Sequence, residues 1–173
     1  MEDILEILKY TMPSLVVFLV VYYFLKKYFE NEEKKRNQQV LLKSQDIITP
    51  LRLQAYERII LYLERISPEN LLVRINKSGY SSKALQAELL NAIRTEWEHN
   101  LSQQLYVSHK AWEVVKNTKA NIIKHINIIS EKVKDDSPAM NLSKAILESL
   151  MDQEKVPSID AINFLKDEMN KLF

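Results

Sequence analysis

The acidic residues beside the histidines are the side chains with the most chemistry to offer in this sequence. Glu96 and His99 stand three residues apart in the segment RTEWEHNLSQQ. On a helix, a Glu-x-x-His pair projects to one face, as in helical di-iron carboxylate proteins. Such a centre needs a second pair of this kind, and the sequence contains none. A metal-dependent helical enzyme using Glu96 and His99 is therefore the least favoured functional hypothesis.

Other catalytic constellations are excluded by composition. The chain has 173 residues, no cysteine and one glycine, Gly79. Without cysteine there is no thiol nucleophile, disulfide or thiolate-bound metal. A single glycine cannot supply a P-loop, a dinucleotide fingerprint or a serine nucleophile elbow, and His-Glu-x-x-His is absent. We therefore predict no catalytic residue, no metal and no cofactor.

The same segment is the densest polar patch in an otherwise amphipathic helix, and three interpretations of it stay open. Its polar residues could bond across to a neighbouring helix, because buried polar groups need partners. They could instead form an exposed polar face, or a patch that binds a ligand or partner. The candidate polar interaction patch consists of Arg94, Glu96, His99, Asn100 and Gln104.

The N-terminal segment predicts a membrane anchor. Sixteen uncharged residues, Tyr10 to Leu25, lie between Lys9 and Lys26. They span about 24 Å as a helix, whereas a hydrocarbon core is about 30 Å thick, so flanking lysines would have to snorkel. Tyrosines near both ends are typical of interfacial aromatic belts. The predicted membrane-interface anchors are Lys9, Tyr10, Tyr22, Tyr23, Lys26, Lys27 and Tyr28.

Two alternatives to a membrane span are a signal peptide and a buried core helix. An acidic N-terminal region and the lack of a small-residue cleavage site disfavour the signal peptide. Apolar runs shorter than eighteen residues do occur as core helices. Basic residues concentrate after the span, which predicts an outside N-terminus and a C-terminal domain at the cytoplasmic face of the inner membrane. The basic residues after the span are Lys26, Lys27, Lys34, Lys35, Arg36 and Lys43.

The remaining sequence predicts an all-α fold in three parts: an anchor (1–29), a helical stem (30–49) and a helical bundle (50–173). Pro50 should end the stem, with Thr49 as N-cap of the next helix. Ser67-Pro68 should open a short helix, and Gly79 should be the left-handed residue at its C-terminal end. Further breaks are predicted at Asp135–Pro138 and at Val156-Pro157-Ser158, while a break between Asn100 and Ser108 is left open.

Apolar periodicity predicts the buried faces of these helices. The tryptophans at positions 97 and 112 fall at core spacing and are interpreted as packing residues. The predicted stripes are Leu53, Tyr56, Ile60 and Leu63, flanked by Leu51, Ile59, Tyr62 and Ile66; then Leu85, Leu89, Ile93, Trp97, Leu101 and Leu105; then Trp112, Val115, Lys119, Ile122, Ile126, Ile129 and Val133; then Leu142, Ile146, Leu147, Leu150 and Met151; and finally Ile159, Ile162, Leu165, Met169 and Leu172.

The net charge of the chain and its distribution along the sequence indicate which partners to expect. The net charge is +1, so we expect no nucleic-acid partner. Residues 50–134 hold thirteen Lys/Arg against eight Asp/Glu, whereas residues 135–173 hold four against eight. This segregation predicts that the acidic C-terminal helices pack beside the basic helix after Ser108. A basic face toward anionic lipid or an acidic partner is the alternative.

The sequence from about Leu51 to Trp112, with LRLQAYERIILYLERI, EWEHNLSQQLYVS and KAW, resembles an uncharacterised family of bacterial single-span membrane-anchored helical proteins. The resemblance implies a bacterial single-pass protein and brings no known activity. A more distant resemblance is to the membrane-anchored b subunit of ATP synthase stalks. That subunit's helix is long and almost unbroken, whereas this chain carries several helix-breaking signals.

Together these patterns favour a non-enzymatic interaction or scaffold protein. Its partners would be the lipid bilayer and either a protein partner or a second copy, contacted through helical faces. An accessory subunit of a membrane complex is the alternative.

Overall fold

The computed structural model describes the backbone of residues 2–151 and 157–172, and the side chains of residues 9–151 and 157–171. Within these ranges the regular structure is helical and contains no strand, so the all-α prediction is confirmed. The chain divides into two compact units, Met1–Thr49 (the N-terminal unit) and Pro50–Phe173 (the helical unit). The helices are α1 (Glu2–Ile66), α2 (Pro68–Ile75), α3 (Ser82–Asn100), a 3-10 helix (Leu101–Leu105), α4 (His109–Ser130), α5 (Ala139–Met151) and α6 (Pro157–Leu172).

The N-terminal unit is the first part of helix α1. Every described side chain from Lys9 to Ile48 is exposed, including the whole apolar run. By length and composition this helix can cross a membrane, although core helices and signal sequences pass the same test. The predicted interface anchors are accordingly all exposed, and the Lys27 ammonium lies 5.9 Å from the centre of the Tyr23 ring.

Helix α1 continues through Pro50, so the predicted break there was wrong. Proline removes one helical hydrogen bond and crowds the carbonyl four residues earlier, at a cost of about 3 kcal/mol. No glycine or asparagine comes next that would let the chain reverse, and strong helix formers such as Leu51 and Gln54 continue the helix. Thr49 is consequently a helical residue and not an N-cap.

The buried face of residues 50–66 differs from the predicted stripe. Tyr56 and Leu63 are buried as expected, but Leu53 is exposed and Ile60 is half-buried. This stretch is apolar on more than one side, so periodicity alone could not select the face that packs. The buried residues are Ala55, Tyr56, Ile59, Tyr62, Leu63 and Ile66.

The link between α2 and α3 is built differently from the prediction. Helix α2 begins at Pro68 as expected, but the Ser67 hydroxyl makes no cap and donates to the Glu64 carbonyl instead. Gly79 lies beyond the helix end, in a turn closed by the Tyr80 amide and the Lys77 carbonyl (3.3 Å). Its φ of +89° fits the third position of a type II turn.

Two serine caps start the central helices. The Ser81 hydroxyl accepts from the Ala84 amide at 3.2 Å, and the Ser108 hydroxyl accepts from the Ala111 amide at 3.0 Å. The open question of a break after Asn100 is answered, because α3 tightens there into the 3-10 helix. That change of period turns Leu101 and Leu105 outward, so the predicted stripe of α3 is buried only through Ile93 and half-buried at Trp97.

Helix α4 packs against α3, α5 and α6. The acidic C-terminal helices therefore lie beside it, as the charge pattern predicted. A break at Asp135–Pro138 occurs as expected, while Val156 lies outside the described residues. Ile159 was predicted to be apolar core, but it is exposed near the start of α6, and Leu147 and Met151 of α5 are exposed as well. The side chain of Leu172 lies outside the described residues. The buried residues of α4 are Ala111, Val115, Thr118, Ile122, Ile126 and Ile129.

Candidate functional site around Glu96

Three helix segments converge on the carboxylate of Glu96. Arg65, from the last turn of α1, donates to Glu96 Oε1 through Nη2 at 2.7 Å and Nε at 2.9 Å. Arg74, from the last turn of α2, donates to the same oxygen through Nη1 at 2.9 Å. Arg74 Nη2 also donates to the Arg65 carbonyl at 3.2 Å. We call these three residues the Glu96 cluster.

The Glu96 cluster is an ion-pair network of intermediate burial. The side chain of Glu96 is 15% exposed, and both arginines are more open. Charge-assisted hydrogen bonds of this kind are stronger than neutral ones, and partial burial lessens screening by salt. One carboxylate thus fixes the relative position of α1, α2 and α3.

The structure breaks up the predicted polar patch. Among the described residues, Glu96 and Asn100 are the two patch members whose side chains make hydrogen bonds, and Asn100 Nδ2 donates to the Glu96 carbonyl within the same helix at 2.8 Å. Arg94, His99 and Gln104 are exposed. Within the described part of the chain, the patch therefore bonds to neighbouring helices at one position, Glu96.

Sequence reasoning missed the two arginines of the Glu96 cluster. Arg65 and Arg74 lie 31 and 22 residues before Glu96, so no local spacing relates them to it. The one available signal is weak, since each arginine stands in the last turn of its helix, where cations are favoured generally.

The cluster leaves Glu96 poorly suited to bind a metal together with His99. All three hydrogen bonds from the arginines converge on Oε1. Among the described residues, no three His, Asp or Glu side chains come close enough together to hold a metal ion.

An aromatic stack lies beside the Glu96 cluster. The Tyr62 and Trp97 rings are 5.9 Å apart, and Trp97 stacks on Trp112 with centroids 4.8 Å apart. The ammonium of Lys119 lies 3.8 Å from the centre of the Trp97 ring, a cation–π contact. Burial, and then the charge of Lys116, lower the pKa of Lys119. Both tryptophans are half-buried packing residues, and Lys119 contacts the Trp97 ring of the stacked pair.

The hydroxyl of Tyr62 is buried and has no hydrogen-bond partner. Among the described residues it is the one buried side-chain nitrogen or oxygen atom that is unpaired. Burial, followed by the nearby carboxylate of Glu96, raises the pKa of Tyr62. The phenol therefore stays protonated and is a hydrogen-bond donor without an acceptor. Native proteins leave few such groups, and each one needs an explanation.

A polar cavity of about 350 Å³ opens at this place. Helix α1 supplies one wall and the second half of α3 supplies the other. We call it the arginine cavity. Its lining residues are Arg58, Leu61, Tyr62, Arg65, Thr95, Glu96, His99 and Asn100.

A serine–histidine pair elsewhere does not form a hydrolase site. Ser149 Oγ and His125 Nε2 are 2.7 Å apart, and burial, then Lys132, lowers the pKa of His125. Ser149 lies in the last turn of α5, where backbone amides already donate within the helix. Among the described residues it therefore has no free pair of amides beside it to form an oxyanion hole.

An apolar groove runs between α1 and α6 and encloses about 490 Å³. Its walls are mostly aliphatic and aromatic carbon. We call it the α1–α6 groove. The residues that line it are Leu53, Tyr56, Glu57, Ile60, Lys166, Met169 and Asn170.

Comparison with known proteins finds no match among curated proteins and none among solved structures. A match does exist to DUF7935, described as a family of unknown function, over residues 2–172. The family description carries no activity, so the resemblance to bacterial single-span proteins stays a prediction. Because the match includes both the apolar helix and the helical unit, the chain belongs to the DUF7935 family of unknown function.

Proposed function

We propose that this protein is a membrane-anchored interaction protein. Its N-terminal helix crosses the inner membrane with the N-terminus outside. The helical unit, at the cytoplasmic face, docks a protein partner or a second copy. The observation that carries the anchoring is the complete exposure of the apolar run from Tyr10 to Leu25.

The exposure of the apolar run favours the anchor over the core-helix alternative. A core helix of a soluble protein buries its apolar side chains, whereas none of this run is buried. Monomeric soluble proteins rarely expose apolar patches above a few hundred Å². A run of sixteen uncharged, mostly large apolar residues needs an apolar surrounding, and a bilayer supplies one on all sides of the helix.

A matched pair of valines tests the anchor. Val17 and Val40 are on the same helix and are similarly exposed, at 61% and 58%. Val17→Arg puts a charge near the middle of the proposed span, which costs about 2.5 kcal/mol or more in insertion. We expect Val17→Arg to release the full chain from carbonate-washed membranes, and Val40→Arg to leave it bound. Equal membrane retention of both variants would contradict the proposal.

The α1–α6 groove supports the interaction part of the proposal. Leu53, Ile60 and Met169 give it an apolar lining open to the outside. Helical partners bind by laying an apolar face into a groove of this kind. Leu53→Glu should reduce crosslinking of the full chain in membranes, since it places a charge in the groove. Val73→Glu is the control, because Val73 is 88% exposed and lies outside the groove. A chain that forms no crosslinked assembly would overturn this part.

The obligate-subunit alternative is less well supported. A bundle completed by other chains would leave its core open, but in the described part of the helical unit more than twenty apolar residues form one buried cluster. The full chain purified alone in mild detergent should therefore unfold cooperatively. Both tryptophans lie in the helical unit, so tryptophan fluorescence follows that unit alone. A gradual, non-cooperative transition would favour the subunit alternative.

A further inference from the structure

We propose that the arginine cavity binds a small anion that presents carboxylate or phosphate oxygens. This inference does not depend on membrane anchoring or on a protein partner. It rests on the unused hydrogen-bond donors around the cavity, on its charge and on the hydroxyl of Tyr62.

The unused groups around the cavity are mostly donors. Arg65 donates to Glu96 through Nε and Nη2, which leaves its Nη1 available as a donor. Arg58, Thr95 and His99 have no side-chain hydrogen bond to another described residue. A guanidinium carries five donors and no acceptor, so Arg58 alone can offer a paired fork to an oxyanion.

The charge of the cavity favours an anion. Arg58 and Arg65 line it, and Arg74 lies directly behind Glu96. The one carboxylate among these residues is Glu96, and its Oε1 is already shared between two guanidiniums. A bound anion would be attracted by the remaining positive charge and would balance it.

Tyr62 supplies the observation that is independent of the arginines. It lines the cavity and is 1% exposed, yet its hydroxyl donates to nothing in the described structure. A buried donor left unpaired costs free energy that an acceptor would recover. An oxyanion brings acceptors, and the raised pKa of Tyr62 keeps the phenol proton in place at neutral pH.

The size of the cavity favours a small molecule. A volume of about 350 Å³ is at the lower end of the range for small-molecule sites. Inorganic phosphate and succinate are therefore suitable probes, one for each oxyanion type.

Tryptophan fluorescence of the full chain in non-ionic detergent tests the proposal, because Trp97 contacts Tyr62. Phosphate and succinate are titrated separately at constant ionic strength, with chloride as the blank. We expect a saturable change with at least one probe, and the responding probe identifies the oxyanion. Arg58→Gln should weaken the apparent affinity at least tenfold, because it removes the paired guanidinium donors. The Arg58 side chain is exposed and has no hydrogen bond to another described residue, so we expect the fold to tolerate the change.

Arg94→Gln is the matched control, because Arg94 is an exposed arginine on α3 outside the cavity. It should leave the affinity unchanged. Tyr62→Phe should weaken binding about fivefold, the loss expected for one hydrogen bond. No saturable response to either probe, or equal weakening by Arg58→Gln and Arg94→Gln, would overturn the proposal.

Discussion

At the scale of the residue, two tyrosines of helix α1 form a natural comparison. Tyr56 and Tyr62 are equally buried, at 1% exposure. The Tyr56 hydroxyl donates to Glu168 Oε1 at 2.7 Å and accepts from the Ser108 amide at 3.3 Å. The Tyr62 hydroxyl has no partner in the described structure. The same chemical group therefore stabilises the fold at one position and opposes it at the other.

Removing each hydroxyl should change stability in opposite directions. Tyr56→Phe should lower the free energy of unfolding by about 1.5 kcal/mol, because a bond to a carboxylate is lost. Tyr62→Phe should raise it by about 1 kcal/mol, because an unpaired donor leaves the interior. Denaturant unfolding followed by tryptophan fluorescence measures both values, without added phosphate or succinate. A loss of stability in both variants would contradict the unpaired state of Tyr62.

The raised pKa of Tyr62 also predicts a loss of stability in alkali. Above about pH 10 the unfolded chain releases the phenol proton, while the folded chain keeps it. Ionisation of Tyr62 therefore leaves the free energy of unfolding unchanged below about pH 10 and lowers it as the pH rises from there toward the folded pKa. Tyr62→Phe should flatten the fall in unfolding free energy between about pH 9 and pH 11. An unchanged slope would show that Tyr62 ionises normally in the fold.

At the scale of the element, serine is the N-cap residue of α2, α3 and α4, but its side chain makes the capping hydrogen bond in α3 and α4 and not in α2. Ser108 Oγ accepts from the Ala111 amide, whereas Ser67 Oγ donates backward to the Glu64 carbonyl. Ser108→Ala should therefore lower the free energy of unfolding by about 1 kcal/mol, the usual cost of a lost cap. Ser67→Ala should cost less than about 0.5 kcal/mol. Similar losses in both variants would be inconsistent with this difference in capping.

We expect Pro50 to weaken helix α1 locally, because one backbone hydrogen bond is missing there. Proline has no amide proton, so the carbonyl four residues earlier, at Asp46, has no donor from position 50. Pro50→Ala should restore that bond and slow backbone hydrogen exchange around Asp46–Arg52. Pro68→Ala, at the first position of α2, removes no helical bond and should not slow exchange in α1. Unchanged exchange after Pro50→Ala would mean that the proline does not weaken the helix.

The elements also show which features of this fold are determined by residues that are close together in the sequence. The start of helix α2 at Pro68 and the turn at Asp135–Pro138 follow from short-range chemistry, and the sequence predicted them. The caps at Ser81 and Ser108 are equally local in their chemistry. The continuation of the helix through Pro50 depends on a balance between the proline and the whole run of helix formers after it. The choice of buried face near Leu53 depends on packing partners. Neither is visible in a short window of neighbouring residues.

The candidate site is less predictable than the fold for the same reason. The polar patch drew attention to Glu96, but its two arginine partners come from α1 and α2. The arginine cavity likewise joins residues of α1 and α3. Which residues line the cavity depends on how the helices pack. A charged residue at one sequence position does not indicate which distant residue it will pair with.

At the scale of the whole molecule, the distribution of basic residues predicts topology. Lys9 is the one basic residue before the apolar run, whereas Lys26, Lys27 and four more come after it within about eighteen residues. A tag at the C-terminus should be digested by protease only after the inner membrane is opened. A tag at the N-terminus should be digested in spheroplasts. The reverse pattern would overturn the proposed orientation.

The turn at Gly79 determines whether a D- or an L-residue could replace the glycine without strain. A Cβ built on Gly79 meets no atom within 4 Å, so space does not forbid a side chain there. The obstacle is the φ of +89°, which L-residues disfavour. A D-alanine prefers the mirror-image region and would enter this turn without strain. It would also restrict the unfolded chain more than glycine does, so a semisynthetic protein with D-alanine at this position should be more stable than the natural one, while L-alanine should be less stable.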